Sequence, residues 1–542
     1  MDERYESNEI WQKYEKGRDY LNRIGLVTNT DAYWDFFNGF QWRGLKSGGE
    51  QMPQDNFIKP TVKYKVSTVA QNSLVAVFSD LEHRSEYDEV CKLLDIDFAK
   101  TWEKSKLDTK KWDIIKAAAV QGDSYMYFGT DDVSDFQIIA NTEIMFGDEN
   151  ESELQKQPYI LIYERPLVVD VKRRARENGV PEGVISLISG DTDTQYQVGN
   201  KEEVEGNDKC TSVIYLSRDE DGYVVVGRAV KECVYEPIHS ITVERGGEIV
   251  SGMRLYPIIP FVWEKMPKSA RGNSEVRQLM PNQIEHNKTL ARRSMSVKMT
   301  AFPRIAYDAT AIQNEEDLHT VGAAIAMQGA SSNVDQMIKY LNPASMSHDA
   351  ESLQNDLMEV AMELAGAGNS ALGNIDPARV SGTAVEIIRD QAAQPLNEQI
   401  AGWRQVAEDL ANLRYDMLCA FAPEQGILVR YTDELGNEME GVIPVSILEE
   451  FRPNVRIDVS PDNAWSKYAE QQELANLLSN GLITLEEYIE VLPVNSSLPV
   501  NKLKKVLERR KFDDGIGKGV QMQEMRGGVY GAEGVQGALS EM

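Results

Sequence analysis

The spacing of apolar residues changes several times along this 542-residue chain and divides it into helical and strand-forming stretches. Up to about residue 120 the pattern is mostly helical, and it includes a stretch at 66–78. Over 124–263 the period shortens to that of strands, with a hairpin turn predicted at Asp221-Gly222. A second hairpin is predicted over 428–444. The pattern predicts an α+β protein.

Three helices are predicted between these two strand regions. The first spans 274–299, and Pro281 either begins it or bends it. The second spans 350–365. The apolar positions predicted to face a core are Val276, Met280, Ile284, Ala291, Met295 and Met299 in the first helix, and Leu353, Leu357, Ala361 and Leu364 in the second.

The third helix, over 383–422, is the longest. Its apolar stripe continues through Leu396, Ile400, Trp403, Val406, Leu410, Leu413 and Met417. Thr383 and Glu386 form a capping box at its start, and a helix of this length would extend about 60 Å. Pro395 should bend it without ending it, because the apolar register continues on both sides.

Glycine-rich segments lie on either side of the remaining helical patterns. Residues 366–382 read GAGNSALGNIDPARVSG, a composition typical of a flexible loop. Helices are predicted again at 465–492 and 501–512. The last segment, 513–542, is glycine-rich and polar, and we expect it to be disordered.

The chain is strongly acidic, with 57 Lys and Arg against 86 Asp and Glu and a net charge of −29. Such a surface repels nucleic acid, and the simplest interpretation of the charge is solubility. The first twenty residues have no apolar core, so no secretory signal is expected there. No apolar run approaches membrane-spanning length, and we expect a soluble protein that is cytoplasmic when made.

The sequence carries no recognisable catalytic or cofactor motif. GIGKG at 515–519 lacks the spacing of a phosphate-binding loop, and GAGNSALG at 366–373 lacks the context of a dinucleotide fingerprint. Four cysteines without a C-x-x-C pair and five dispersed histidines argue against a zinc site or a disulfide framework. We therefore expect no metal and no cofactor. The absence of a motif favours a protein without enzymatic activity but does not exclude an enzyme.

Cations are concentrated in the predicted helix at 274–299, in an otherwise acidic chain. Lys288 and Arg292 are four residues apart and share a face, and Arg293 and Lys298 follow. Salt bridges to acidic residues of neighbouring helices are the favoured interpretation. The alternative is a local basic ring formed by Lys288, Arg292 and Lys298.

The order of these parts resembles that of the portal proteins, the head-to-tail connectors of tailed bacteriophages. The likeness rests on YPIIPFVWEKMPKSARGNSEVRQLMPNQIEHNKTLARR at 256–293, on TAFPR at 300–304, and on the run from YLNP at 340–343 through GAGNSALG to the kinked helix. It covers roughly residues 10–510. Pro260-Phe261 and Arg271-Gly272 occupy the places of the family's approach to its first stem helix.

The resemblance implies a portal fold with a defined order of parts. These are a wing at 1–273, stem helices at 274–299 and 346–365 around a small mixed clip at 300–345, a tunnel loop at 366–382, the long kinked helix of the wing at 383–422, wing strands at 423–463, a helical crown at 464–512 and a flexible tail at 513–542. The tunnel loop is the part expected to touch DNA, through Asn369, Ser370, Asn374 and Arg379.

The resemblance also implies partners and a location. They are a homo-oligomeric ring, expected to be a dodecamer, double-stranded DNA in its channel, the large terminase subunit, a head-completion or adaptor protein, and the major capsid and scaffolding proteins, without a membrane. The protein would act at one capsid vertex of the virion, after assembly in the host cytoplasm. Two rivals remain, a cytoplasmic enzyme without a recognisable motif and a capsid adaptor or scaffold without a channel.

Overall fold

The structure, a computed structural model, describes most of the chain in two compact units. The larger unit comprises Met1–Ala70 and Thr101–Phe421, and the smaller comprises Gln71–Lys100 and Ala422–Met542. The fold combines helices with antiparallel sheets, which confirms the α+β prediction. The described residues are 8–44, 52–82, 84–129, 136–191, 208–245, 248–301, 304–307, 338–341, 349–364, 393–423, 425–432, 438–461, 474, 476–484 and 488.

The amino-terminal part of the larger unit is helical, as predicted, and the segment after residue 122 is rich in strands. Its elements up to Val262 are α1 (Glu9–Arg23), α2 (Leu26–Asn38), α3 (Ile58–Ala70), α5 (Leu107–Gln121), β2 (Asp123–Tyr127), β3 (Gln137–Ala140), β4 (Ile144–Phe146), β5 (Tyr159–Glu164), α6 (Val168–Glu177), α7 (Glu182–Ile185), β6 (Ser212–Arg218), β7 (Val224–Val230), β8 (Val234–Ser240), β9 (Thr242–Arg245), β10 (Glu248–Gly252) and β11 (Ile258–Val262). Helices α6 and α7 lie within the region that was predicted to be β-rich.

Five antiparallel strands in the order β4-β5-β6-β7-β8 form the main sheet. Helix α1 covers one face, where Tyr14 and Leu21 join a core with Val213 and Ala229. Helices α6 and α7 cover the other face, against Val230. Because both faces are covered, β7 is buried at every position and reads as a continuous apolar run instead of an alternating one. The Asp221-Gly222 turn joins β6 and β7 as predicted.

The three-stranded sheet β11-β2-β3 leads the chain into the helical middle. Helix α8 (Glu275–Ala301) follows, then strands β12 (Arg304–Tyr307) and β13 (Ile338–Leu341), and then helix α9 (Asp349–Leu364). The helices predicted at 274–299 and 350–365 are therefore both present. Pro281 lies inside α8, so the alternative in which it begins the helix is wrong.

The long helix is described from a 3₁₀ turn at Gln394–Leu396, which contains Pro395, through helix α10 (Asn397–Phe421). Its predicted stripe is confirmed from Trp403 to Met417, since Trp403, Val406, Leu410, Leu413 and Met417 are all buried. Residues 383–392, the predicted start of this helix, lie outside the described residues.

Among its described residues, the smaller unit includes two antiparallel strand pairs and the helices α4 (Asp88–Lys104) and α11 (Val445–Glu450). Strand β1 (Asn72–Ser79) pairs with β16 (Asn454–Pro461), and β14 (Ile427–Thr432) pairs with β15 (Glu438–Ile443) in the predicted second hairpin. Helix α4 belongs to this unit up to Lys100.

Strand β1 corrects the helix expected over 66–78, because helix α3 ends at Ala70 and residues 72–79 are extended. Ala76 and Phe78 are buried while Val75 and Val77 are exposed. Inward and outward positions therefore alternate with a period of two, and the β-branched side chains suit the pleated strand. The apolar residues of β1 are too few to distinguish the helical period from the strand period in the sequence.

Candidate functional site

Helices α8 and α9 pack against each other, and strands β12 and β13 pair; the two helices are called the α8–α9 hairpin. His286 of α8 meets Gln354 of α9, while Arg293, seven residues later in α8, meets Glu351, three residues earlier in α9. The two helices are therefore antiparallel. Strands β12 and β13 are antiparallel as well, with Arg304 opposite Leu341. At 1.5 Å per residue α8 alone extends about 40 Å.

The first turn of α8 is fixed to the larger unit by buried polar contacts. Ser274 caps the helix by accepting the Val276 N–H at 3.1 Å, and its hydroxyl donates to the Val120 carbonyl at 2.5 Å. The carboxylate of Glu275 accepts from Lys65 Nζ at 2.7 Å and from Trp263 Nε1 at 3.2 Å. Both members of the Lys65–Glu275 ion pair are buried.

Arg271 holds the turn that precedes the helix. Its guanidinium donates to both carboxylate oxygens of Glu149, at 3.0 and 2.9 Å, and to the carbonyls of Asn141 and Ile144 at 2.7 and 2.8 Å. The charge lies 3.7 Å from Asp123, whose pKa is raised by burial and lowered in part by Arg271. A buried cation with this many acceptors positions α8 rigidly.

A seam of buried amide groups continues up the inner face of α8. Gln283 accepts the Phe57 N–H at 3.1 Å and donates to the Asp55 carbonyl at 2.6 Å. Asn287, one turn later, donates to Gln41 Oε1 at 2.5 Å. This seam was not predicted from the sequence. Its signal was the four-residue step from Gln283 to Asn287, which continues the face of Val276 and Leu279 with polar residues.

The contact between α8 and α9 is also partly polar. His286, which is 1% exposed, has Nδ1 3.2 Å from the Gln354 carbonyl, and its Nε2 lies 3.4 Å from Asp55 Oδ2. Arg293 donates to Gln354 Oε1 at 2.6 Å and lies 3.5 Å from Glu351. For Arg293 the structure thus shows the expected salt bridge to a neighbouring helix.

The apolar faces predicted for these helices are only partly buried. In α8, Met280 and Ile284 are half-buried and Met295 is 59% exposed. In α9, Ala361 is buried as predicted, whereas Leu353 and Val360 are each 48% exposed. The inner face of α8 consists instead of Val276, Leu279 and the buried amides. The expected apolar stripes are therefore wrong at Met295 and Leu353, which lie on the outer surface of the hairpin.

The predicted basic residues lie on that outer surface. Lys288 is 3.6 Å and Arg292 is 3.4 Å from Glu285 of the same helix, and Lys298 is exposed. Lys288 and Arg292 thus pair with the same carboxylate of their own helix, whereas the favoured prediction was a carboxylate on a neighbouring helix. Their role in a channel stays a prediction. The tunnel-loop residues Asn369, Ser370, Asn374 and Arg379 lie outside the described residues, as does the predicted crown apart from its few described positions.

Two of the cavities at the helical region of the larger unit are lined by residues of its loops as well as of its helices. One of about 290 Å³ is lined in part by Tyr14, Arg18 and Glu143, and the other, of about 270 Å³, lies beside Lys268 and Arg277 at the start of α8. In the first, Arg18 donates to the Tyr14 hydroxyl at 2.8 Å, and burial raises the pKa of Glu143. Arg18 thus pairs with Tyr14, and Glu143 accepts the Ala140 N–H, so both side chains have partners within the chain.

Within the described ranges, no three His, Cys, Asp or Glu side chains are grouped so that they could hold a metal ion. None of the described helices combines the length and apolar character needed to span a bilayer. The four cysteines are buried free thiols.

Comparison with known proteins finds no matching family model and no matching curated protein. Among solved structures, the chain is similar to a chain from the virion of a native gene transfer agent particle, with 10% identity over 80% of this chain and 88% of that chain and a TM-score of 0.31. Two chains with a TM-score this low need not share a fold, and the similarity decides nothing about this one.

Proposed function

We propose that this protein is a phage portal protein. Copies form a ring at one capsid vertex, DNA enters and leaves through the channel, and the ring docks the terminase motor first and head-completion or tail proteins later. The protein acts as a structural conduit and not as an enzyme. The proposal rests on the sequence resemblance, which covers roughly residues 10–510, and on the arrangement of the α8–α9 hairpin.

The observation that carries the proposal is a rigidly based helical hairpin whose outer surface remains apolar in part. Ser274, Glu275 and Arg271 fix its base through buried contacts. Further along, Met295, Leu353 and Val360 are about half exposed or more. Rods packed side by side around an axis would bury such a surface and leave a central hole.

The net charge of −29 gives the channel a physical role. A ring of acidic subunits presents a mostly repulsive wall to duplex DNA, which favours sliding over binding. Each cation that contacts phosphate adds a salt-dependent attachment. Screening limits the repulsion to about 8 Å at physiological salt, so the wall centres the duplex only at close range.

The decisive measurement is the oligomeric state of the purified full chain. Mass photometry should find particles near twelve times 60.9 kDa, and negative-stain images should show a central hole of DNA width. A compact monomer contradicts the proposal and favours the enzyme. An assembly without an open axis contradicts it too and favours the adaptor or scaffold.

The tunnel-loop assignment has its own test. A variant with Trp at all three of Asn369, Ser370 and Asn374 should still form the ring but should package or retain DNA poorly, because the bulky side chains would obstruct the bore. Asp221→Trp, in the exposed β6–β7 turn, is the matched control and should package normally. Normal DNA filling in the loop variant would refute the assignment.

A further inference from the structure

We infer that the outer face of α8 docks on the outer face of α9 of a second copy of this chain, and that opposite charge on the two faces sets which surfaces meet. The inference rests on the proposed ring and specifies its contact. It replaces the prediction that Lys288, Arg292 and Lys298 line the bore, and the test below separates the two.

The two helices carry opposite charge. Over residues 288–301, α8 has four cations and no acid, whereas α9 has five acids and neither Lys nor Arg. Within one chain, Arg293 and Glu351 form an ion pair at 3.5 Å between the two helices. The other charged side chains that carry the argument are exposed: Lys288, Arg292 and Lys298 in α8, and Asp356, Glu359 and Glu363 in α9. Most of both charge sets therefore faces outward.

The exposed face of α8 is a basic stripe with an apolar centre. At 100° per residue, Lys288, Arg292 and Met295 lie within about 60° of one another, and Lys298 extends the stripe by about one turn. Met295 is 59% exposed. Glu285 at the edge pairs with both Lys288 and Arg292, so one negative charge stands beside two positive charges there.

The exposed face of α9 is its counterpart. Asp356, Glu359 and Glu363 are exposed and fall within about 60° of one another, bordered on one side by Leu353 and Val360. Leu353 and Val360 are each 48% exposed. The acidic stripe of α9 is therefore complementary in charge to the basic stripe of α8, and each stripe offers exposed apolar side chains that the contact would bury.

The partner is a second copy of this chain, because every chain carries both the basic stripe of α8 and the acidic stripe of α9. A contact between two different surfaces of the same protein is heterologous, and repeated contacts of this kind close into a ring when the rotation between subunits divides a full turn. Burial of Met295 against Leu353 and Val360 contributes the apolar part of the contact. The charges specify partner and register.

Two charge-reversed variants test the contact. One carries Lys288→Glu, Arg292→Glu and Lys298→Glu, and the other carries Asp356→Lys, Glu359→Lys and Glu363→Lys. Each alone would place like charges across every interface and should lower the association constant per contact about 10- to 100-fold, which abolishes rings at micromolar concentration. Mixed one to one, the variants should form alternating rings, because each reversed face then meets its complement.

The outcomes separate this contact from the ring itself. If both variants form rings as readily as the unmodified chain, or if the mixture fails to restore assembly, the contact is wrong while the ring stands. If the unmodified chain is a monomer, both proposals fail. Circular dichroism and thermal unfolding establish that each variant folds. Should a reversed variant misfold, Lys288→Gln, Arg292→Gln and Lys298→Gln combined must still weaken assembly, and unchanged assembly overturns the contact.

Discussion

A Cβ atom built on Gly122 would lie 2.6 Å from the carbonyl oxygen of Gly272, and one built on Gly272 would meet the carbonyl oxygen of Gly122. The two backbones touch where helix α5 ends and just before α8 begins. Gly122 also adopts a φ of +108°, which side chains disfavour. Its carbonyl accepts the Trp263 N–H at 2.9 Å. The base of the hairpin therefore depends on two residues without side chains.

We expect Gly272→Ala to destabilise the larger unit by about 2–3 kcal/mol, because the new methyl group overlaps backbone that cannot move independently. The matched control is Gly183→Ala in α7, where a Cβ meets nothing within 4 Å. That variant should be neutral or slightly stabilising, since alanine favours the helix. Urea unfolding measures both. Equal midpoints for the two variants would show that the contact is not tight.

The accuracy of the sequence-based prediction varies between elements, and the reasons are physical. Helix α10 was predicted correctly because its stripe from Trp403 to Met417 is buried within its own chain. The stripe of α8 was misassigned because its inner face is built from amides such as Gln283. Strand β1 was misassigned because seven apolar or small residues fit either period until the alternating burial of Ala76 and Phe78 is known.

The site was predictable to a lesser degree. The cations of α8 were found as a cluster, but the shared partner Glu285 depends on rotamers that spacing does not determine. The ion pair between Lys65 and Glu275 joins residues 210 positions apart, and a single sequence carries no signal for it. Arg271 was noted for its place before the helix, but its acceptors Glu149, Asn141 and Ile144 lie 122 to 130 positions away in the sequence.

The Lys65–Glu275 ion pair should be a strong anchor only because it is buried. Lys65→Met removes the cation and leaves the carboxylate with Trp263 and Gln278, so we expect a loss of about 3 kcal/mol in unfolding free energy. Adding Glu275→Gln should restore at least half of that loss, since no buried charge then remains. Urea unfolding of the four members of this double-mutant cycle measures the coupling.

The control for this cycle is Lys116→Met. Lys116 lies 2.7 Å from Asp113, the same separation as in the Lys65–Glu275 pair, but both side chains are at least 40% exposed. Its loss should change stability by less than about 1 kcal/mol. A similar cost for both substitutions would mean that burial does not strengthen the anchor.

The cysteine thiols should be almost unreactive in the folded protein. Burial raises the pKa of Cys91, Cys210 and Cys233 to about 11, and Cys419 is buried as well. Because the thiolate is the reactive form, a disulfide reagent at pH 8 should modify these three cysteines about 100-fold more slowly than an exposed cysteine. In denaturant all four should react at once. Rapid modification of the native chain would contradict their burial.

Asp95 should make the smaller unit less stable as the pH rises. Burial raises the pKa of this carboxyl to about 6, although the Phe78 N–H donates to it at 2.7 Å. Below about pH 4 the group is protonated in both the folded and the unfolded chain. Between about pH 4 and 6 the unfolded chain loses this proton while the folded chain keeps it, so the unfolding free energy falls, and above that range the difference is constant.

The substitution that isolates this effect is Asp95→Asn, which keeps the shape and can still accept the Phe78 N–H. Because Asp95 is only half-buried, solvent screening reduces the expected gain at pH 8 to about 1–2 kcal/mol, with almost no gain at pH 4. Urea unfolding of both chains at several pH values measures the difference. If the gain were the same at pH 4 and pH 8, the carboxyl would not be responsible, and the stabilisation would come from packing instead.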